Sequence, residues 1–307
     1  MSAGAALDFT GERFTPECVR EIWYEHWHRY ALVRAWAGGR RVLDAACGEG
    51  YGSALLADVA ESVLGLDLDP AAVAHAAARY GTSKNLRFEQ ADATQLQLPA
   101  GRFDLVVSFE TLEHVEAQDA LLDGLCHALS DDGLLVISSP DKATYSDAAG
   151  FRNEYHVREL YREEFETLLR RRFPYRRLYA QRLLFQSAIW TVDPAALDAP
   201  AHYATAGNDG QLDSGLSYAP MYYIAVCSRH PLPALPASSW FGDRDESVYR
   251  HYNHEIRKNM AAGARIAELE AQLDAALQRE RTATAELQRA VASLRRPWWR
   301  RWGGGAD

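Results

Sequence analysis

A chain of 307 residues, 48% of them hydrophobic and 24% charged, is long enough to bury one large core or two modest ones. Its formal charge of −9 argues against a general nucleic-acid binder, whose phosphate affinity rests on clustered Lys and Arg. No run of about eighteen apolar residues is present to span a bilayer, and Met1–Asp8 lacks the basic flank and apolar stretch of a secretory signal. The four cysteines lie far apart with no C-x-x-C pair, which excludes a disulfide or zinc framework and points to a reducing cytoplasm.

Residues 1–40 are aromatic-rich and read as helical in their second half. Residues 41–140 repeat a strand–helix rhythm, with short apolar runs at 41–46, 62–66, 86–89, 103–109 and 133–138 separated by Ala- and Leu-rich segments. Such alternation predicts an α/β fold, a parallel sheet with helices on both faces. A helix is predicted over 157–171, opened by acids and closed by bases. Two further runs, 175–184 and 221–228, are predicted as antiparallel strands that complete the sheet. Between them, 190–220 reads as an irregular insertion, and the prolines of 230–236 as an extended linker. From about Glu246 to Trp302 the pattern is a long helical appendage. Ile266, Leu269, Leu273, Ala276, Ala283, Leu287, Ala290 and Leu294 recur at steps of three and four, a coiled-coil seam broken by Glu280. The expected organisation is therefore a catalytic domain over 1–235, with 1–40 as its lid, and an appendage over 246–302.

The chemistry concentrates after the first strand, in Val42-Leu43-Asp44-Ala45-Ala46-Cys47-Gly48-Glu49-Gly50-Tyr51-Gly52. A strand runs into a glycine turn and then into a helix predicted at 53–60, so backbone amides can approach a ligand closely. The third position of a G-x-G-x-x-G fingerprint is Ser53 here, and Asp44 would repel a pyrophosphate, so a nicotinamide dinucleotide is disfavoured. Acids recur after the next two strands, at Asp67 and at Asp92. Asp69 precedes Pro70 and is placed to cap a helix. After the fourth strand, Glu110, Glu113 and His114 stand three and four apart, which on a helix would share one face. Cys47 reads as a packing residue at the strand–turn junction rather than a nucleophile.

This succession resembles the class I S-adenosylmethionine-dependent methyltransferases. The resemblance implies a Rossmann-like, doubly wound, mostly parallel sheet of about seven strands. It also implies S-adenosylmethionine as cofactor, bound by Asp44, Cys47, Gly48, Gly50, Asp67, Leu68, Asp92, Ala93 and Glu110. Within that set Asp67 would meet the ribose hydroxyls and Asp92 the adenine amino group, with Arg29 on the methionyl carboxylate. The E-x-x-E-H string resembles ubiquinone-pathway and small-RNA end methyltransferases, in which such residues hold a divalent cation. A metal on Glu110, Glu113 and His114, Mg2+ for example, is the alternative to a plain cofactor-border role and is not expected.

The runs Phe9-Thr10-Gly11-Glu12-Arg13-Phe14 and Asn153-Glu154-Tyr155-His156-Val157 resemble methyltransferases found with bacterial glycan-assembly enzymes. They imply His156 as general base, His114 as the second candidate, and Glu12, Arg13 and Tyr155 on the acceptor. The expected reaction is methylation of a hydroxyl, with a sugar of a surface glycan or its precursor as acceptor. Methylation of a small phenolic or quinone-type metabolite, an N acceptor, and a cofactor-binding scaffold without turnover stay open. The Arg and Trp residues of 295–302 suit a membrane–water interface, which with a self-pairing helix would hold the enzyme at the inner membrane face.

Overall fold

In the computed structural model the described residues are 21–189, 203–206, 211–216 and 218–295. The Phe9–Phe14 run with Glu12 and Arg13, and the basic-aromatic end from Arg296, lie outside them. In chain order the elements are α1 (Glu21–Ala37), β1 (Arg41–Ala45), α2 (Tyr51–Ala57), β2 (Ser62–Asp67), α3 (Pro70–Tyr80), β3 (Leu86–Gln90) and β4 (Phe103–Ser108). These are followed by α4 (Gln118–Ala128), β5 (Leu129–Pro140), α5 (Arg162–Arg170), β6 (Tyr175–Gln181), β7 (Ala204–Ala206), β8 (Leu212–Ser214), β9 (Tyr222–Ser228) and α6 (Ser247–Leu294).

Seven strands form one sheet in the order β3-β2-β1-β4-β5-β9-β6. Strands β1 to β5 pair in parallel, and β9 runs antiparallel between β5 and β6. The central strands are buried on both faces, so they read as continuous apolar runs. On one face Leu43, Leu64, Val106 and Ile137 pack with Leu121 and Leu125 of α4 and Phe165 of α5. On the other, Val42, Val63, Leu105, Val107 and Val136 pack with Val33 of α1 and Leu56 of α2. Burial of each such side chain contributes about 1.5–3 kcal/mol, and the two layers together hold the sheet.

Several boundaries differ from the sequence expectations. Helix α5 begins at Arg162 rather than 157, because the amides of Val157 and Arg158 donate to the Glu113 carbonyl (2.8 and 3.0 Å) and Leu160 bridges Asp141. Glu164 reaches back to the Tyr161 amide and closes the new helix start at 2.9 Å. Helix α2 starts inside the glycine turn at Tyr51. Strand β6 ends at Gln181, and β7 and β8 form a small hairpin within the stretch expected to be irregular. The proline segment is extended but does not separate domains. Leu232 and Leu235 pack on the core, and Tyr179 Oη donates to the Pro236 carbonyl at 2.7 Å. One compact unit ends at Arg244 and a second begins at Asp245. In the second, α6 runs 48 residues with no buried side chain. Among the described residues no helix is long and apolar enough to cross a membrane.

Candidate active site

Strands β1 and β4 are neighbours whose continuations lead to opposite halves of the sheet, the point at which open α/β sheets bind ligands beyond their strand ends. Both strands end in left-handed residues other than glycine, Ala46 (φ 62°) and Glu110 (φ 49°). Such conformations cost about 1–3 kcal/mol and persist where the surroundings impose them. Between the two strand ends opens a cavity of about 450 Å³, walled by the glycine turn, Asp67, Leu68, Asp92, Ala93, the segment after β4 and His26 of α1.

The turn is braced from three sides. Asp67 Oδ2 accepts from the Gly48 amide at 2.8 Å and Oδ1 from the Asp69 amide at 3.0 Å. Glu49, buried, accepts from Arg79 (2.8 Å) and Tyr80 (3.0 Å) and meets His75 at 2.9 Å, tying the turn to α3. Gly50 adopts φ 91°, and a Cβ there would come within 2.7–2.9 Å of Ala76 and Phe88. Cys47 lines the cavity with a thiol that burial holds protonated, as suits a packing residue. Asp69 caps α3 through the Ala71 amide at 2.8 Å, as expected.

Asp44, expected among the cofactor-binding residues, is not one of those walling the cavity. It is fully buried, with Oδ2 accepting from Ser53 Oγ at 2.6 Å and Oδ1 from Tyr30 Oη at 3.1 Å. Burial outweighs those hydrogen bonds and raises its pKa to about 6. Asp92 caps the short turn Ala93–Gln95, accepting from the Thr94 hydroxyl (2.7 Å) and amide (2.8 Å), which hold its carboxyl below the usual range. Arg29 does not line the cavity either. Its Nε donates to Gln181 Oε1 at 2.7 Å, Nη1 lies 3.2 Å from Glu110 Oε1, and the guanidinium covers the Tyr222 ring at 4.4 Å. Its charge is directed at Glu110, whose Oε1 also accepts from Ser138 Oγ at 2.7 Å.

The described wall thus carries the acids Glu49, Asp67, Asp69, Asp92 and Glu110 but no Lys or Arg, and His26 is neutral because burial drives its pKa far down. Such a lining repels a pyrophosphate and accommodates a cation bearing a neutral base and hydroxyls. S-adenosylmethionine fits that description.

Glu110, Glu113 and His114 do not share a helix face. Glu110 closes β4 in its left-handed turn, and only Leu112–His114 coils, as a single 3-10 turn. Glu110 therefore faces Arg29 while Glu113 turns inward, and the third member of the cluster is His156. Ligating atoms of Glu113, His114 and His156 lie within 4.8 Å of one another. His114 alone of the three lines the cavity. Its Nδ1 is 2.9 Å from the Tyr155 carbonyl, which assigns the proton to Nδ1 and makes Nε2 the acceptor nitrogen. His156 stands behind it, edge-on at 5.0 Å, stacked on Tyr145 and bonded through Nδ1 to Glu159 at 2.5 Å. Ser146 Oγ holds the other Glu159 oxygen at 2.5 Å. The Glu113 carboxyl is fully buried, makes no hydrogen bond through either oxygen among the described residues, and has its pKa pushed well up by burial. Tyr155 is partly exposed and is not among the residues walling the cavity. His26 and Glu159 escaped the sequence reading. His26 sat unremarked in an aromatic helix, whereas the spacing H-x-x-E of 156 and 159 was a usable signal.

A family profile described as a methyltransferase domain matches residues 43–137. Over 168 residues, 54% of the chain, it is 37% identical to a probable S-adenosylmethionine-dependent methyltransferase of Mycolicibacterium smegmatis and 36% identical to a protein of the same description, Rv3030, of Mycobacterium tuberculosis. The chain spans 64% and 60% of the lengths of these two relatives. Over 119 residues, 38% of this chain and 24% of the relative, it is 32% identical to phosphoethanolamine N-methyltransferase 1 of Arabidopsis thaliana. Among solved structures, the YcgJ protein of Bacillus subtilis superposes with a TM-score of 0.49 at 18% identity, over 67% of this chain and all of that one.

Proposed function

We propose that residues 43–137, which match a methyltransferase-domain profile, bind S-adenosylmethionine, and that the chain methylates a hydroxyl of a neutral sugar in a glycan or glycan precursor. The observation that carries this reading is His114. It lines an acid-walled, cation-accepting cavity, and with the proton on Nδ1 its Nε2 would serve as the base, with His156 and Glu159 behind it. An alcohol needs its proton removed as it attacks carbon, and a positioned imidazole contributes about 10²- to 10⁴-fold to such a step. A phosphorylated amine, the acceptor named for the plant relative, would find no described Lys or Arg in this cavity to meet its phosphate.

Asp67 and Asp92 would hold the ribose hydroxyls and the adenine amino group, and the Gly48–Gly50 turn would seat the methionyl part. The cofactor supplies a methyl group on a cationic sulfur that departs as a neutral thioether. Tyr30, Trp27 and Tyr51, packed ring on ring, cover the turn and exclude water. His114 takes the acceptor proton on Nε2, and the adjacent Glu113, 3.9 Å away, offers a carboxyl that the new imidazolium would help to ionise.

A second reading, a divalent cation on Glu113, His114 and His156, is favoured by the buried Glu113 carboxyl that lacks a hydrogen-bond donor. One carboxylate and two imidazoles suit Mn2+, Fe2+ or Zn2+ better than Mg2+, which prefers oxygen ligands. Retention of one equivalent of metal by the purified protein, lost in His156→Ala, would move the acceptor chemistry to that reading. We also propose that α6 pairs with a second copy through the exposed stripe Ile266, Leu269, Leu273, Leu287 and Leu294, read out as mass by light scattering.

The test of the main reading is transfer of labelled methyl from S-adenosylmethionine into fractionated cell extract by wild type and Asp67→Ala. Label in the polysaccharide or lipid-linked glycan fraction, absent with the variant, supports it. Label confined to small apolar molecules shifts the acceptor to a phenol or quinone, and cofactor binding without label anywhere leaves a scaffold.

A further inference from the structure

On the far face of α1 from the cofactor cavity lies a second concavity, of about 220 Å³. Helix geometry puts Tyr24, Glu25 and His28 on its wall, whereas His26 and Tyr30 of the same helix face the first cavity. The opposing wall is aromatic. The Trp240 indole, 56% exposed, stacks on Tyr203 at 5.3 Å and 16°, and its Nε1 donates to the Tyr203 hydroxyl at 3.0 Å. Phe241 lies flat against His28 at 5.6 Å, and His28 Nε2 meets Ser239 Oγ at 2.9 Å. Tyr218 completes the aromatic rim. These rings are held in place by neighbours, so they form a surface prepared before any ligand arrives.

Between the rings the described lining offers one carboxylate, Glu25, one guanidinium, Arg182, the amides of Gln181 and Gln186, and the hydroxyl of Ser239. One acid and one base cancel, and His28 is neutral at ordinary pH because burial and the nearby Arg29 lower its pKa to about 4. A phosphorylated or otherwise strongly charged ligand therefore finds no compensating field. A wholly apolar one would strip water from these polar groups and return nothing. What remains is an uncharged molecule with one apolar face to lay on aromatic rings and a ring of hydroxyls to exchange hydrogen bonds with carboxylate, amide and guanidinium. That is the chemistry of a neutral pyranose.

The walls of the two cavities are also linked by a chain of polar contacts through buried Arg29. Gln181, on the wall of the second, accepts from Arg29 Nε, and Arg29 meets Glu110, on the wall of the first. Gln181 Nε2 donates to the Glu25 carbonyl at 2.9 Å, so the same amide fixes the helix that divides them. The separation is that of one helix, about 10 Å.

We propose that this concavity is a subsite for a neutral sugar unit of the acceptor, at a remove from the hydroxyl that is methylated, and that it makes the enzyme favour an oligosaccharide over a single sugar. The inference rests on the glycan reading of the function. Binding energy collected at a remote unit is the usual means by which a transferase aligns a flexible polymer at the reacting atom.

The test is saturation-transfer NMR of the full-length protein with maltohexaose and α-mannohexaose, using glucose and mannose as single-unit controls. The expected result is transfer from the protein to at least one hexasaccharide, and affinity at least tenfold weaker in Trp240→Ala. Affinity for S-adenosylhomocysteine by calorimetry, within twofold of wild type, reports that the variant is folded. Absence of transfer to both hexasaccharides, or equal affinity in wild type and variant, overturns the subsite. So does binding of menadione in place of the sugars with the same dependence on Trp240. Hexasaccharide binding that survives while no sugar is ever methylated would strike the proposed function and leave the subsite standing.

Discussion

Asp44→Asn is the most informative single substitution, because the cost of the buried carboxylate can be worked out in advance. The side chain is fully buried at the end of β1, and its pKa stands at about 6 against an ordinary 3.8. The shift comes first from desolvation, opposed by hydrogen bonds from Ser53 and Tyr30 and reinforced by the charge of Asp67. Between the two values the folded protein holds a proton that the unfolded chain has released, so stability falls as pH rises through that window. Two units correspond to about 3 kcal/mol in total, of which about 2 kcal/mol is lost between pH 4.5 and 7.5. Asparagine preserves the shape and cannot ionise. Urea unfolding followed by tryptophan fluorescence, run on wild type and variant across that range, isolates this one group because all other titrations cancel in the difference. The variant should gain about 2 kcal/mol relative to wild type from pH 4.5 to 7.5. A difference that stays constant with pH would refute the claim that Asp44 titrates in its buried place.

Gly52→Ala should destabilise by about 1–3 kcal/mol in the same unfolding assay. Its Cβ would come within 2.1–2.4 Å of the buried Tyr30 ring, which is pinned by Asp44. Asp67→Ala should weaken S-adenosylhomocysteine binding by at least tenfold in calorimetry, since it removes both a cavity-wall carboxylate and the brace on the Gly48 amide. His114→Asn should lower kcat by about 10²- to 10⁴-fold with cofactor affinity unchanged. Glu159→Gln, which leaves His156 a neighbour of the same shape but replaces the carboxylate 2.5 Å from Nδ1, should lower kcat while leaving KM nearly constant. An unchanged kcat would detach Glu159 and His156 from the proton path.

The sheet was legible because its signals are local. Val42–Ala45, Val63–Leu66 and Leu105–Val107 are buried runs bounded by turns, so sequence alone placed the first four parallel strands to within one residue of their ends. The fifth began earlier than read, at Leu129, because Asp131 and Asp132 interrupt its apolar run. The glycine turn and the cap Asp69 were legible for the same reason. The orientation of the acids was not. Asp44 looks available in a motif, yet its direction is decided by Tyr30 and Ser53, which strand packing delivers. The pattern E-x-x-E-H suggested one helical face, and a single left-handed residue at Glu110 splits it. That conformation leaves no mark in a sequence when the residue is not glycine. Helix α5 was extended too far upstream because Val157–Leu160 has ordinary helical propensity and loses its amides to a carbonyl more than 40 positions away.

The segment from Asp141 to Leu160 carries Tyr145, Tyr155, His156 and Glu159, yet it enters and leaves the fold at one point. Asp141 pairs with Leu160, and the Lys142 amide donates to the Leu160 carbonyl at 3.1 Å. A loop closed at its neck can be lengthened at modest entropic cost, since closure entropy grows only slowly with length. The register of β5 against β9 and the footing of α5 lie outside that neck. On the proposed reading, this contiguous stretch of about twenty residues could be exchanged with that of a relative, altering the surroundings of His114 while leaving the strands on either side in place.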